Sequence, residues 1–123
     1  MTFKVGEVVT LYTDRSKDEK TKHIIIVAES RSSDNCLGVF INSNQSKDSF
    51  IKEYQPAFNV NEERRYLDHQ SYIDCYSPIE FTEYELKKAK KRGDVTEDDL
   101  ALLRGLIRDN PQLTNGFKKS FRL

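Results

Sequence analysis

The residues best suited to chemistry lie in one short stretch, residues 65–75, which reads Arg-Tyr-Leu-Asp-His-Gln-Ser-Tyr-Ile-Asp-Cys. It contains His69, one of only two histidines in 123 residues, with Asp68 beside it and Ser71 two residues further on. An unperturbed imidazole titrates near pH ~6.5, so it can accept or donate a proton under neutral conditions. The stretch therefore predicts an acid–base site or, more simply, a polar loop that His69 caps.

A strand is expected to hold these groups in place. From residue 71 to residue 75 polar and apolar residues alternate, so Tyr72 is expected on one face of a strand and Ser71 and Ile73 on the other. Asp68 and His69 then fall where a loop meets this strand, and such loops often carry binding and catalytic groups.

Several β-rich segments surround this stretch. Strands are predicted at 3–12, 23–28 and 36–43, and the continuous β-branched run at 23–28 indicates a strand covered on both faces. Short strands are also predicted at 50–54 and 57–60. The polar run 14–21 predicts a surface loop.

Two helices are predicted after the strands. Thr82 and Glu85 have the spacing of a capping box, and Gly93 supplies a stop, so a helix is expected over 82–93. A second helix is expected to begin at Thr96 and to end at Asn110, with an apolar stripe formed by Leu100, Leu103, Leu106 and Ile107, of which Leu103 and Ile107 are expected to pack onto the barrel or a partner. The whole indicates an α+β fold, mainly β with C-terminal helices, in which a small β-barrel occupies about 3–81 and helices about 82–109 of one domain, 1–123.

Composition excludes some classes of function. The chain carries 20 acidic and 20 basic residues, so no net charge draws it to nucleic acid or to a membrane, and the basic block 87–92 is a weak nucleic-acid signal. No apolar run approaches the ~20 residues of a membrane span, and the N-terminal residues lack the pattern of a signal peptide. Cys36 and Cys75 are expected to be buried and reduced, so we expect a cytoplasmic protein with no metal site and no cofactor.

In order along the chain, several short motifs resemble the PemK/MazF-like family of toxin ribonucleases. Phe-Lys-Val-Gly-Glu-Val-Val at 3–9 is similar to that family's opening strand, and Lys-His-Ile-Ile-Ile-Val at 22–27 to its second. Gly-Val-Phe-Ile-Asn-Ser-Asn-Gln-Ser-Lys at 38–47 is similar to its third strand and the following turn. Asp-His-Gln-Ser-Tyr-Ile-Asp at 68–74 resembles a segment of its divergent members.

The resemblance implies an SH3-like, CcdB/Kid-type barrel that cuts single-stranded RNA without metal. It also implies a homodimer and a partner antitoxin. The family's arginine at the start of the second strand corresponds to Lys22 or His23, and its serine or threonine after the third strand to Ser43 or Asn44. The expected catalytic set is therefore His69, His23, Lys22 and Ser43.

The expected RNA-binding set comprises Asn44, Lys47, Arg64, Arg65 and Tyr72, although the arginines and Tyr72 are equally compatible with a packed barrel edge. The missing arginine matters, because a guanidinium grips a phosphate bidentately and lysine does not. Two functions therefore stay open from the sequence. One is a metal-independent endoribonuclease, and the other is a catalytically inactive barrel that binds nucleic acid or protein.

Overall fold

A computed structural model describes residues 3–14 and 21–123. The fold is mainly β, and its largest element is one antiparallel sheet. Most of the predicted loop at 14–21 lies outside the described residues. The sheet curls into a half-barrel, and a few helices accompany it. This confirms the expected mainly β, α+β class.

Within the described residues, seven strands form the sheet. They are β1 (Glu7–Tyr12), β2 (Thr21–Glu29), β3 (Cys36–Asn42), β4 (Ala57–Phe58), β5 (Ser71–Ile73), β6 (Ile79–Phe81) and β7 (Lys90–Asp94). Their order is β4-β5-β3-β2-β1-β7, and β6 also pairs with β3. The same part of the chain contains the helices α1 (Ser49–Lys52), α2 (Glu97–Asp109) and α3 (Asn115–Lys119).

Both faces of the central strands are covered, as the β-branched run predicts. All five residues at 24–28 are fully buried, because Ile25, Val27 and Ala28 pack into one core and Ile24 and Ile26 into another. The first core includes Ile25, Leu67 and Ile73 and is covered by α2. The second core includes Ile24 and Phe81 and lies on the opposite face of the sheet.

The second predicted helix is confirmed. The hydroxyl of Thr96 accepts the backbone N–H of Asp99 at 3.1 Å, which begins α2. Leu103 and Ile107 are fully buried against the sheet, as their spacing predicts. At the other end Asn110 is buried and donates from Nδ2 to the carbonyls of Cys75 and Tyr76, so the helix terminus is fixed to the chain that leaves β5.

The first predicted helix, at 82–93, is wrong. Thr82 and Glu85 do form the reciprocal capping hydrogen bonds, but only turns come next, and the chain then enters β7 beside β1. A helix here would stack Lys87 on Lys91 and Lys88 on Arg92, and like charges four residues apart destabilise a helix. The predicted limits of about 3–81 for strands and 82–109 for helices are therefore corrected, since β7 lies beyond the first limit and α3 beyond the second.

A strand expected at 50–54 is also wrong. Residues Ser49–Lys52 form α1 instead, because the carboxylate of Asp48 accepts the backbone N–H groups of Phe50 and Ile51 at 2.8 and 3.1 Å. Such a cap favours a helical turn over an extended chain. The neighbouring short strand is present as β4, Ala57–Phe58, within the predicted segment 57–60.

Candidate functional site

The candidate site is a cleft of about 400 Å³ at the start of β2 and the end of β3, beside the middle of β7, and we call it the histidine cleft. Both histidines of the chain line it. Its lining is mostly polar and is formed by Thr21, Lys22, His23, Ile41, Asn42, Ser43, Arg65, Tyr66, Leu67, Asp68, His69, Ser71 and Arg92.

Strand pairing explains why two distant segments meet here. Asn42, the last residue of β3, pairs with Tyr72 of β5. Ser43 comes directly after Asn42, and His69 lies three residues before Tyr72, so the two residues emerge at the same end of the paired strands. Leu67, which is buried in the first core, holds the loop that carries His69.

His69 connects a carboxylate to a hydroxyl. Its Nδ1 lies 2.5 Å from Oδ1 of Asp68, and its Nε2 lies 3.0 Å from Oγ of Ser43. An ionised carboxylate can only accept, so Nδ1 donates to Asp68, and this fixes the orientation of the ring. Nε2 therefore faces the cleft beside Ser43. The side chain of His69 is 57% exposed, so a solute can reach it.

His23 lies on the same side of the sheet. It pairs with Thr10 of β1 and Ile41 of β3, and it shares a strand face with Ile25 of the first core. Burial lowers the pKa of His23 below its usual value, and the charge of Arg92 lowers it further, while the carboxylate of Asp68 acts in the opposite direction. At neutral pH this imidazole is therefore a neutral proton acceptor.

Lys22 lies next to His23 on β2, so its side chain leaves the opposite face of the strand. Its Nζ donates to Oδ1 of Asn42 at 3.3 Å and lies 5.9 Å from the centre of the Phe40 ring, in the second core. Of Lys22 and His23, His23 is the one on the face of the first core, which also contains Leu67 beside the Asp68–His69 pair.

Arg92 reaches the cleft through a β-bulge. Val8 pairs with Gly93 and Val9 with Lys91, so Arg92 is an extra residue between two pairs. A bulge redirects the side chain of the inserted residue. Gly93 permits the loop that carries Tyr66 to pack closely, because a Cβ at position 93 would lie 3.3 Å from Cβ of Tyr66.

Sequence reasoning missed Arg92 as a site residue. It placed the basic run in a helix, and no alternation in Lys-Lys-Arg-Gly-Asp at 90–94 marks a strand. Asp68 was within the stretch singled out, but its contact with the imidazole requires the loop geometry. The sequence signal for this contact is the position of Asp68 directly before His69.

The predicted RNA-binding residues are divided by the structure. Arg65 lines the histidine cleft. Arg64 makes a bidentate pair with Asp99, at 3.0 and 2.9 Å, and its guanidinium lies 4.0 Å from the centre of the Phe58 ring. Those contacts join the loop before β5 to α2, which is a structural role.

The other three predicted RNA-binding residues are not part of the cleft lining. Asn44 and Lys47 are in the loop between β3 and α1. Tyr72 is half-buried in β5, on the strand face opposite Ser71 and Ile73, as the alternation predicts. The cleft therefore combines the predicted catalytic residues more completely than the predicted RNA-binding ones.

Cys36 and Cys75 are both buried and unbonded, as expected. Burial raises the pKa of Cys36 to about 12 and raises that of Cys75 as well, so neither thiol is a ready nucleophile. Over residues 3–14 and 21–123, no group of three or more His, Cys, Asp and Glu side chains is arranged to hold a metal ion. In the same ranges, no helix is both long and apolar enough to cross a membrane.

No protein-family model matches this chain, and a search of curated proteins gives no significant match. What the histidine cleft can do therefore has to be judged from its own side chains.

Proposed function

We propose that the histidine cleft cleaves single-stranded RNA by metal-independent acid–base catalysis, on a barrel of the SH3-like, CcdB/Kid type. The observation that carries this proposal is the presence in one cleft of two imidazoles in different environments. His69 is hydrogen-bonded to Asp68, whereas His23 is half-buried near the charge of Arg92. Pairs of titratable groups in contrasting environments are typical of acid–base sites.

The reaction uses the substrate's own 2′-hydroxyl. His23, neutral at neutral pH, takes the proton from this hydroxyl as its oxygen bonds to the adjacent phosphorus. The bond from phosphorus to the 5′-oxygen breaks, and protonated His69 donates a proton from Nε2 to that departing oxygen. The products are a 2′,3′-cyclic phosphate and a free 5′-hydroxyl, and no water is consumed in this step.

The remaining residues have supporting roles. Asp68 holds the ring of His69 in one orientation, and Ser43 occupies the position that the departing oxygen takes when substrate is bound. Arg92 and Arg65 supply the positive charge that a crowded, negatively charged phosphorus requires. Arg92 thus takes the part of the arginine that is absent from the start of β2.

The first test is removal of His69. His69→Ala is expected to lower the rate of cleavage of a labelled single-stranded RNA by about 10²–10⁴-fold, because an acid–base group contributes about that factor. The neighbouring variant Gln70→Ala alters an exposed side chain outside the cleft lining and serves as the control. An RNA with a single 2′-deoxy substitution at the cleaved position should resist the wild-type protein.

Each reaction is run with and without EDTA. Cleavage that disappears with EDTA, or that survives His69→Ala unchanged, contradicts the mechanism. A wild-type protein that binds but never cuts RNA would instead be the catalytically inactive binding module that the sequence left open.

A second candidate function rests on the 3.0 Å contact between Ser43 and His69. The order Asp68, His69, Ser43 is also that of a triad with a serine nucleophile, which transfers acyl groups. Asp68 is 92% exposed, however, so water weakens its hold on the ring, and the arginines of the cleft suit a phosphate better than an uncharged ester. Hydrolysis of a p-nitrophenyl ester that is lost in Ser43→Ala would favour the triad.

A further inference from the structure

A second concave surface lies beside the histidine cleft, and we call it the tyrosine groove. Its volume is about 660 Å³, and it lies between the end of β1 and the turns that precede β7. It is lined by Leu11, Tyr12, Thr13, Asp14, Tyr84, Glu85, Lys87, Lys88 and Ala89.

The groove combines exposed aromatic rings with exposed cations. Tyr12 is 71% exposed and Tyr84 is 85% exposed, so two large rings remain in contact with water. Lys87 and Lys88 are exposed next to them. Aromatic faces combined with flexible cations are the features that bind unpaired bases and phosphates without sequence preference.

Strand pairing places the groove next to the histidine cleft. Tyr12 and Leu11 line the groove, and their partners on β2, Thr21 and Lys22, line the cleft. The backbones of neighbouring strands lie about 5 Å apart, so residues of the two surfaces are close to one another at this point.

The basic block also connects them. Lys88 lines the groove and Arg92 lines the cleft. The two residues are four positions apart, so even a fully extended chain between them spans at most about 13 Å, which a few nucleotides of an unpaired strand can cover. The basic block at 87–92 therefore supplies cations to both surfaces.

We propose that the tyrosine groove binds the nucleotides that flank the cleaved phosphate of single-stranded RNA. Tyr12 and Tyr84 stack on bases, and Lys87 and Lys88 contact the backbone. This inference rests on the function proposed for the histidine cleft and extends it, because it makes the preferred substrate an oligonucleotide rather than a dinucleotide. Double-stranded RNA is not a ligand of the groove, since its bases already stack on one another.

The test compares substrates of two lengths. Tyr84→Ala combined with Lys88→Ala is expected to lower kcat/KM about tenfold for an oligonucleotide, through the loss of one stacked base and one phosphate contact. Cleavage of a dinucleotide, which occupies the histidine cleft alone, should not change. The control is Leu102→Ala, which alters an exposed side chain of α2 outside both surfaces.

Binding separates this inference from the catalytic proposal. A fluorescent oligonucleotide with 2′-O-methyl groups cannot be cut, and its affinity is measured by anisotropy. The wild type can fail to cleave RNA while the double variant binds this strand less tightly than the wild type does. That result contradicts the catalytic proposal and supports RNA binding by the groove. Equal affinity of the variant and the wild type for this strand contradicts RNA binding by the groove, and so does absence of binding by the wild type. An equally large loss of affinity for duplex RNA also contradicts it. A groove that binds protein instead would give the first of these overturning results.

Discussion

Two segments of this chain begin with the same capping pattern and reach different structures. Thr82 and Glu85 open a segment of turns that leads into β7, whereas Thr96 and Asp99 open α2. In each, the threonine hydroxyl accepts the backbone N–H of the acid three residues later, at 3.1 Å. The cap by itself therefore does not decide between a helix and a set of turns.

The difference lies in the residues behind the cap. The segment after Thr96 has apolar residues at helical spacing, and two of them, Leu103 and Ile107, become fully buried. The segment after Thr82 buries Leu86 but then continues with a run of cations. Helical stability in proteins comes mainly from the packing of an apolar face, so only the segment after Thr96 forms a long helix. The segment after Thr82 instead places cations along the tyrosine groove and the histidine cleft.

Removing the packed leucine should give the largest change in stability. Leu103→Ala is expected to lower the free energy of unfolding by about 2–4 kcal/mol, because the side chain is fully buried and leaves a cavity. Urea denaturation monitored by circular dichroism measures the loss. The exposed neighbour Leu102 is the control, and its alanine variant should change stability by less than about 0.5 kcal/mol. Similar losses for the two variants would mean that α2 does not depend on its buried face.

Removal of each cap in turn tests the comparison directly. Thr96→Ala should cost about 1 kcal/mol, the usual effect of losing a helix N-cap. Thr82→Ala should cost less, about 0.5 kcal/mol or under, because its cap supports turns that expose most of their side chains. Thermal denaturation of both variants under one condition makes the measurement. A larger loss for Thr82→Ala would show that the turn segment, and not α2, depends on its cap.

The same comparison shows which features sequence reasoning could supply. The burial of the central strand, the stripe on α2 and the candidacy of both histidines come from residue type and spacing, which are local properties. The contact of Ser43 with His69 depends on the pairing of Asn42 with Tyr72, and the position of Arg92 depends on a one-residue bulge. Neither the strand pairing nor the bulge produces a periodic pattern in the sequence. Non-local pairing therefore decides how the site is assembled.

The link between β7 and the site predicts a small pH effect that depends on Arg92. The folded protein lowers the pKa of His23 below its ordinary value of about 6.5, first by burial and then by the charge of Arg92. Between the lowered pKa of His23 in the folded protein and its ordinary pKa in the unfolded chain, the unfolded chain binds more protons than the folded one. The free energy of unfolding therefore falls as the pH drops through this window. Above about pH 6.5 the effect is absent.

The measurement is the urea midpoint at about pH 7.5 and at about pH 5.5, on either side of the unperturbed imidazole pKa. The decrease in urea midpoint from the higher to the lower pH should be smaller in Arg92→Gln than in wild type, because one cause of the lowered pKa of His23 is removed. It should be smaller still in His23→Gln. Added salt should reduce the share due to Arg92 and leave the share due to burial, because only the charge effect is screened. Lys90→Gln, which removes an exposed cation of the same strand that is not among the causes, is the matched control. If Lys90→Gln narrows the drop as much as Arg92→Gln, the effect belongs to the general charge of β7. In that case the bulge does not give Arg92 a specific influence on His23.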